Sequence, residues 1–310
     1  MKFIRLLILA VALIAACYPQ HGRAADRVIA AVMSSDQPRY REAHRAFVKS
    51  MAAHGYTSAN TEIILQIPNP DQLSWSNTIR KFNAYKPNLL IAYGAPVAQV
   101  AMKEAKDIPV LAVDMYAQEQ PPRGTFGISS RVPMITLLKT FKEIRSTRRI
   151  GVIYNSHEIG SHRQMEEVLK YASQLGIQVI EGNATSASSV LRITADLLEK
   201  TDALIVTESG VVCRQFEKIV ARAKARSVPV LSPMPDAAEK GAMISLEINP
   251  QEQGKLATEV ALQLLNGTRQ EQLSLVSPRR IDLIVNLKVA RELGLNIPFP
   301  VLAGATRILK

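Results

Sequence analysis

Apolar runs alternate with amphipathic stretches along the chain from residue 27 onward. In the stretch that follows Pro38, the residues Ala43, Phe47 and Met51 lie four positions apart, which is the spacing of one helix face. The runs between such stretches are apolar at successive positions, as in strands buried on both faces of a sheet. Strands that alternate with helices in this way predict parallel sheets covered by helices.

The alternation runs through two cycles, one ending near residue 113 and the next starting at residue 149. The predicted strands are 28–33, 62–67, 89–93, 110–113, 150–154, 177–180, 203–206 and 228–231. The predicted helices are 38–54, 74–85, 96–106, 162–175, 188–199 and 212–225. Two such cycles indicate an α/β protein with two Rossmann-like lobes, each built on a parallel sheet.

After an apolar run at 244–248 the pattern changes, with a long helix at 251–265, a strand at 281–285 and a short helix that ends near Gly294. This last part is too short to form a lobe, so we expect it to complete the two lobes through a hinge with several crossovers. Lobe 1 is predicted to contain 27–123 and about 250–280, and lobe 2 to contain 131–244 and about 281–310. The hinge crossovers are predicted at 124–130 and about 245–249.

The first 16 residues have the pattern of an export signal. Lys2 and Arg5 precede an apolar run at 6–16, which is too short to span a bilayer. Small residues just before Cys17 resemble the bacterial lipobox, in which that cysteine would carry a lipid and become the mature N-terminus. The alternative is an ordinary signal that is cleaved later, for example after Ala24. No later apolar stretch has the length of a transmembrane helix.

Composition limits the classes of partner. The chain has 310 residues, about two ordinary domains, with 38 Lys and Arg against 27 Asp and Glu, for a net charge of +11. A basic surface suits nucleic acid, an anionic membrane or an acidic ligand as a partner. Export of the protein argues against nucleic acid as that partner. Two cysteines do not make a disulfide framework, and Cys213 is expected to be a packing residue.

The sequence lacks the common catalytic motifs. The glycine-rich dinucleotide and nucleotide loops, the zinc-protease helix and the nucleophile elbow are all absent from it. His157, Glu158 and His162 lie close together, but without further ligands they indicate a polar loop leading into a helix. We therefore expect no enzyme activity, no cofactor and no metal site.

Small and polar residues follow the predicted strands, where the carboxyl ends of parallel strands face a cleft. The candidate ligand-binding residues are Ser34, Ser35, Tyr93, Gly94, Ala95, Asp114, Asn155, Ser156, Glu158, Thr207, Glu208, Ser209 and Asp236. Helix N-termini after most of these strands attract a carboxylate, and the acidic members of the set could face an ammonium group. One site that offers both signs suits a zwitterion such as an amino acid.

An alternative leaves these residues with a local role only. Ser, Thr, Asn and Asp at such places often do no more than cap the helix that follows. Trp75 and Tyr116 are similarly ambiguous, because an aromatic side chain could stack on a ligand or pack in the protein interior.

Five segments in this order resemble a known family: 88–101 (NLLIAYGAPVAQVA), 149–155 (RIGVIYN), 207–212 (TESGVV), 228–231 followed by 239–242 (EKGA), and 284–298 (IVNLKVARELGLNIP). The chain is similar to bacterial ABC-transporter substrate-binding proteins of the tryptophan/tyrosine-type group. The resemblance implies a type I periplasmic-binding-protein fold that captures a small molecule between two lobes. The loops 94–98, 155–158 and 207–210 match the family's cleft loops.

Three departures fall where ligand contacts are expected. Ala95 stands where the family often has Thr or Ser before the proline, and Met115-Tyr116 follow Asp114 where Asp-Pro is common. The segment 249–251 replaces an aromatic pair that often precedes the long helix. An aromatic amino acid is therefore not assumed as the ligand.

The resemblance implies a periplasmic or otherwise extracytoplasmic, monomeric solute-binding protein of an ABC importer. Its partners would be a small polar ligand and an inner-membrane permease, with no nucleic acid and no membrane contact except through a lipid anchor. The alternative is a ligand-sensing subunit for a membrane receptor or sensor kinase. An exported enzyme would need a catalytic set, and a transcription regulator would need a helix-turn-helix where the signal stands.

Overall fold

The computed structural model describes residues 26–116 and 126–310. The predicted export signal and Cys17 lie outside the described residues, as does the start of the predicted crossover 124–130. The strands are β1 (Arg27–Met33), β2 (Thr61–Gln66), β3 (Leu89–Tyr93), β4 (Val110–Met115), β5 (Gly127–Ser129), β6 (Arg149–Tyr154), β7 (Gln178–Asn183), β8 (Ala203–Val206), β9 (Val230–Ser232), β10 (Ile244–Ile248), β11 (Leu275–Val276), β12 (Ile281–Asn286) and β13 (Arg307–Leu309).

The helices alternate with these strands, as the sequence pattern predicts. They are α1 (Pro38–Ala53), α2 (Gln72–Tyr85), α3 (Ala95–Glu104), α4 (Met134–Ile144), α5 (Ile159–Gln174), α6 (Ala187–Leu198), α7 (Gly210–Cys213), α8 (Phe216–Ala225), α9 (Pro250–Leu265), α10 (Leu287–Glu292) and α11 (Phe299–Gly304), with a 3-10 turn at Gln270–Gln272.

The strands form two sheets. The six-stranded sheet has the order β11-β5-β4-β3-β1-β2, and every pair in it is parallel. The seven-stranded sheet has the order β13-β12-β10-β9-β8-β6-β7, with β12 antiparallel to β10 and the other pairs parallel. The predicted α/β class with two mostly parallel sheets is confirmed. We call each sheet, with the helices packed on it, the first and the second lobe.

Each sheet is buried on both faces, which explains why its strands are apolar at successive positions. In the first lobe, α1 and α9 cover one face and α2 and α3 cover the other. In the second lobe, α4, α5 and α10 cover one face and α6, α7 and α8 the other. The chain passes between the two sheets after β5, after β10 and after β11, so several crossovers join the lobes.

One predicted helix is divided in the structure. The helix predicted at 212–225 is split into α7 and α8, because Gln215 leaves the helical conformation with φ −109° and ψ 5°. The segments predicted as hinge crossovers at 124–130 and about 245–249 include β5 and β10, and the chain passes from one sheet to the other after each of these strands. Within the described ranges, no helix is long and apolar enough to cross a membrane.

Candidate functional site

The carboxyl ends of β4 in the first lobe and β8 in the second come together at one arginine. Arg39, in the first turn of α1, donates through Nη2 to the carboxylates of Asp114 and Glu208. Asp114 stands at the end of β4 in the first lobe, and Glu208 follows β8 in the second. The side chain of Arg39 is only 10% exposed. We call Arg39, Asp114 and Glu208 the cleft cluster.

Asp114 is held in place by its backbone and by a neighbour. Its φ of +68° is in the left-handed region, and the pairing of β4 with β5 shifts register there, so the carboxylate turns away from the regular strand direction. Gln253, in the first turn of α9, donates from Nε2 to Asp114 Oδ1 at 2.9 Å. Since both side chains are buried, this hydrogen bond fixes the orientation of the carboxylate.

Burial and neighbouring charges together shift the pKa values of Arg39 and Glu208. Burial raises the pKa of Glu208, and the positive charge of Arg39 acts in the opposite direction. For Arg39, burial by itself lowers the pKa, but Asp114 and Glu208 outweigh that effect and hold the pKa well above its usual value. Arg39 therefore keeps its proton at every physiological pH, and the lobes are joined through a permanent positive charge.

The predicted residues Asn155, Glu158 and Ser209 lie together and satisfy one another. Glu158 Oε1 accepts from Asn155 Nδ2 and from Ser209 Oγ, both at 2.8 Å, and Glu158 Oε2 accepts from the amide of Gly210 at 2.7 Å. The carboxylate of Glu158 thus ties the loop after β6 to the start of α7. Its hydrogen bonds go to the protein, so it contributes to the shape of the second lobe's cleft edge.

Thr207 and Ser156 also have local partners. The hydroxyl of Thr207 is 2.6 Å from the hydroxyl of Ser161 and donates to the carbonyl of Ile153 at 3.0 Å. The amide of Ser156 donates to Asn183 Oδ1 at 3.0 Å at the surface. The amide of Glu208 donates to Gln164 Oε1 at 2.7 Å, which positions the one acidic residue of this loop that reaches Arg39.

In the first lobe, Gly94 lies where no other residue fits. Its φ is +98°, and a Cβ there would lie 2.5 Å from Ser34 Oγ and 2.5 Å from the hydroxyl of Tyr40. Ser34 Oγ accepts from the amide of Val97 at 3.2 Å, so it caps α3. Ala95 begins α3, and these contacts place the start of that helix beside Tyr40 and the cleft cluster.

Three more predicted residues lie elsewhere. Tyr93 is fully buried, with its hydroxyl 3.2 Å from His44 Nδ1 in the core under α1. Ser35 is half-buried in the loop that leads to α1. Asp236 lies near Glu247, to which its charge is coupled, and it makes no described contact with the cleft cluster.

The two ambiguous aromatic residues serve packing and hydrogen bonding within the protein. Trp75 donates from its indole nitrogen to the carbonyl of Ser34 at 3.1 Å. Tyr116 is 4% exposed, and its hydroxyl donates to Glu167 Oε2 on α5 at 3.0 Å. Arg131 donates to the other oxygen of Glu167 at 2.7 Å. Because Tyr116 follows β4 of the first lobe and Glu167 lies on α5 of the second, their hydrogen bond is a second polar contact between the lobes.

The family model for the ABC transporter substrate binding protein matches residues 28–309. The chain belongs to that family. A curated relative, the tyrosine-binding protein of Clostridioides difficile (strain R20291), is 23% identical over 272 residues, which is 84% of this chain and 79% of the relative. Substrate-binding proteins of ABC transporters act outside the cytoplasm, and their partner is a small-molecule ligand.

Solved structures agree on the fold. The ABC domain in complex with L-Trp from Streptococcus pneumonia matches with a TM-score of 0.84 at 21% identity, over 92% of this chain and 100% of that one. The ligand-free, open structure of a substrate binding protein with adhesive properties from Clostridium difficile matches with a TM-score of 0.71 at 26% identity, over 92% and 99%. The expected type I periplasmic-binding-protein fold is confirmed.

Arg39, which joins the two lobes of this substrate-binding protein, was not among the residues that the sequence predicted. Arg39 comes at the start of α1, just after the polar residues that follow β1. This position beside a strand end was the sequence signal that could have identified it as a candidate site residue. The sequence also did not predict Gln253, Gln164 and Tyr40 as site residues. The reason is that no sequence motif marks a glutamine or a tyrosine near the start of a helix.

Neither a metal site nor a reactive thiol is evident in the part of this substrate-binding protein that the structure describes. No group of three or more His, Cys, Asp or Glu side chains in residues 26–116 and 126–310 is placed to hold a metal ion. Burial raises the pKa of Cys213 to about 12, so the thiol stays protonated. Its Sγ packs 3.4 Å from Met234 Sδ, as expected for a packing residue.

Proposed function

We propose that this protein binds an amino acid, or a related small zwitterion, in the cleft between its lobes and delivers it to the permease of an ABC importer. The observation that carries the proposal is the cleft cluster, in which an arginine and an aspartate of one lobe meet a glutamate of the other. The arginine offers a positive charge and the two carboxylates offer negative charge at the same place, which suits a ligand with both.

The mechanism is closure of a hinge around the ligand, with no bond made or broken. Ligand contacts from both lobes favour the closed arrangement, because a ligand shifts an equilibrium toward the state that it binds better. Relatives whose names specify tyrosine binding and a complex with L-Trp support an amino acid as the ligand class. The departures at Ala95, at 115–116 and at 249–251 leave the side chain of that amino acid open.

The test is to purify the mature protein from an export host and measure its melting temperature with L-amino acids, small amines and small acids. The right ligand stabilises the protein by about 2.7 kcal/mol at a hundredfold excess over its dissociation constant. Native mass spectrometry before dialysis should show a retained small molecule. If no compound in the panel moves the melting temperature, the proposal is wrong.

A matched variant locates the effect. Asp114→Asn keeps the shape of the side chain and the φ of that position is tolerated by asparagine, but it removes one negative charge from the cleft. We expect this variant to fold and to lose most of the ligand-induced shift. Asp236→Asn, away from the cleft cluster, should keep the shift.

We also propose that the mature protein is monomeric and is anchored through a lipid on Cys17. Mass spectrometry of the membrane-extracted protein should show a diacylated N-terminal cysteine, whereas a free N-terminus after Ala24 would contradict the anchor. Delivery to a permease predicts that the lipidated, ligand-loaded protein co-purifies with a permease. Co-purification with a sensor kinase instead would contradict the import step.

A further inference from the structure

One buried donor of the Arg39 guanidinium has no partner among the described residues. Nη2 reaches the two carboxylates and also lies 3.1 Å from the hydroxyl of Tyr40. Nε is buried, and among the described residues it has no hydrogen-bond acceptor. Buried donors are rarely unpaired in folded proteins, because leaving one unpaired costs about 1–3 kcal/mol. The geometry therefore calls for an acceptor that the described residues do not supply.

Contacts with neighbouring side chains restrict the orientation of the guanidinium. Its carbon lies 4.7 Å from the centre of the Tyr40 ring, a cation–π contact. Asp114, which the guanidinium also contacts, is fixed by a hydrogen bond of 2.9 Å from Gln253. The unpaired Nε edge is thus held in one orientation, as a preorganised binding group is.

The acceptors around Arg39 indicate which groups a ligand could present. Within the cleft cluster, one guanidinium faces the carboxyl groups of both Asp114 and Glu208, so these two groups together can accept more hydrogen bonds than Arg39 donates to them. Burial raises the pKa of the Tyr40 hydroxyl, so Tyr40 stays neutral and adds no charge. The carboxyl groups can therefore accept from an ammonium group, and Nε can donate to one further acceptor.

We infer that Arg39 binds the carboxylate of the ligand through Nε, while Asp114 and Glu208 take its ammonium group. The inference rests on the proposed function and deepens it, because it assigns the ligand's two charges to named side chains. It also moves the carboxylate site from the helix N-termini to an arginine, whose hydrogen bond to a carboxylate is charge-assisted and strong.

The experiment compares each amino acid with the amine that lacks its carboxylate. The probes are L-tryptophan with tryptamine, L-tyrosine with tyramine, L-phenylalanine with phenethylamine, and L-leucine with isopentylamine, titrated calorimetrically into the mature protein. We expect the wild type to bind at least one amino acid about tenfold or more tighter than its amine, the effect of one charge-assisted hydrogen bond. We call this factor the carboxylate ratio.

Two variants of Arg39 separate the role of Nε from that of the charge. Arg39→Gln removes both, and Arg39→Lys keeps a positive charge between Asp114 and Glu208 but lacks the Nε donor. In each variant that folds, we expect the carboxylate ratio to fall to about threefold or less, since the charge-assisted bond is lost. Arg41→Gln is the matched control, because Arg41 is half-exposed and pairs with Asp36 at the surface, and its ratio should equal that of the wild type.

The outcomes are distinguishable. A wild type that binds neither these probes nor any other compound of the panel of L-amino acids, small amines and small acids contradicts the proposed function, and with it the inference. A wild type that binds an amine as tightly as its amino acid overturns the inference alone, as does Arg39→Lys with an unchanged carboxylate ratio. Circular dichroism and ligand-free melting of each variant establish that the compared proteins are folded.

Discussion

His44 illustrates, at the scale of one residue, how burial changes side-chain chemistry. Its Nδ1 lies 3.2 Å from the Tyr93 hydroxyl in the core, and burial lowers the pKa of His44 to about 4. The unfolded chain therefore binds a proton more readily than the folded protein between about pH 4 and 6.5. In that window the free energy of unfolding should rise with pH, so stability decreases as the pH falls.

The first prediction follows from this sign. Lowering the pH from about 7 to about 5 should remove roughly 2 kcal/mol of stability through His44 alone. In His44→Gln this part of the pH dependence should disappear, as measured by urea unfolding at a series of pH values. His54→Gln, an exposed histidine at the end of the same helix, is the control and should keep the wild-type slope. An unchanged slope in His44→Gln contradicts the assignment.

Glu247 has the opposite effect. Burial is the main cause that raises the pKa of Glu247 to about 7, with Glu239 and Asp236 adding negative charge nearby. The folded protein holds this proton more tightly than the unfolded chain, so the contribution is fully present below about pH 4.5 and is lost as the pH rises through about 7.

The second prediction is that Glu247→Gln steepens the net rise of stability with pH between about 5 and 7. The reason is that the wild-type contributions of Glu247 and His44 oppose each other there. The same series of urea unfolding curves measures it. A net slope that is unchanged, or that becomes shallower, would show that Glu247 is ionised in the folded protein.

At the scale of elements, the packing of α9 on α1 depends on one glycine. A Cβ on Gly254 would lie 2.2 Å from the carbonyl oxygen of Ala43 and 2.8 Å from the Cβ of Ala46. Contacts this short with the backbone of a neighbouring helix cannot be relieved by a side-chain rotation. The same two helices carry Arg39 and Gln253, so their spacing also positions the cleft cluster.

The third prediction is that Gly254→Ala destabilises the protein by roughly 1–3 kcal/mol, although alanine is the better helix former by about 1 kcal/mol. Urea unfolding measures the change. Gly304→Ala is the matched control, since nothing lies within 4 Å of a Cβ there and the residue is exposed at the end of α11. If both variants are equally stable, α1 and α9 are not in this close contact.

Elements differ in how far the sequence predicts them. Strands such as β3 and β8 are apolar throughout, and their bounds were predicted without error. Helix α4 was missed although Met134, Leu137 and Phe141 have helical spacing, because its N-cap is Pro133, which makes no side-chain cap hydrogen bond, so no capping residue marks its start. Strand β13 is short and partly exposed at a sheet edge, so its sequence has no continuous apolar run.

The candidate site was predictable only in outline. Polar residues at strand ends indicated a cleft, and Asp114 and Glu208 were named. What distinguishes these two residues from the other predicted ones is their contact with Arg39. Arg39 lies 75 positions from Asp114 and 169 positions from Glu208 in the sequence. Such pairing depends on how two sheets face each other, and no local spacing in the sequence encodes it. Glu158 was indistinguishable from Glu208 for the same reason.

At the scale of the whole molecule, polar contacts at two places in the described residues join the lobes. The cleft cluster is one, and the other is Tyr116, whose hydroxyl bonds Glu167 and whose carbonyl accepts from Arg163 at 3.1 Å. The Cβ of Tyr116 also lies 3.2 Å from where a Cβ on Gly160 would be, so tyrosine packs directly against the start of α5.

The fourth prediction concerns this second contact. Tyr116→Phe keeps the packing but removes the bond to Glu167, so it should weaken ligand binding by roughly two- to tenfold through a less stable closed arrangement. The carboxylate ratio should stay at the wild-type value, because Tyr116 does not touch Arg39. Titration calorimetry with the same probes tests both statements, and a changed ratio would place Tyr116 at the ligand.

Hydrogen exchange with and without the ligand shows whether the ligand binds between the lobes at the cleft cluster. We expect slower exchange with ligand in 34–40, 93–97, 113–116 and 207–211, the segments that meet at the cluster. We expect no change in 217–230 and 286–293, which line a surface pocket of about 430 Å³ on the second lobe. Protection confined to those two segments would show that the ligand binds at that pocket and not between the lobes.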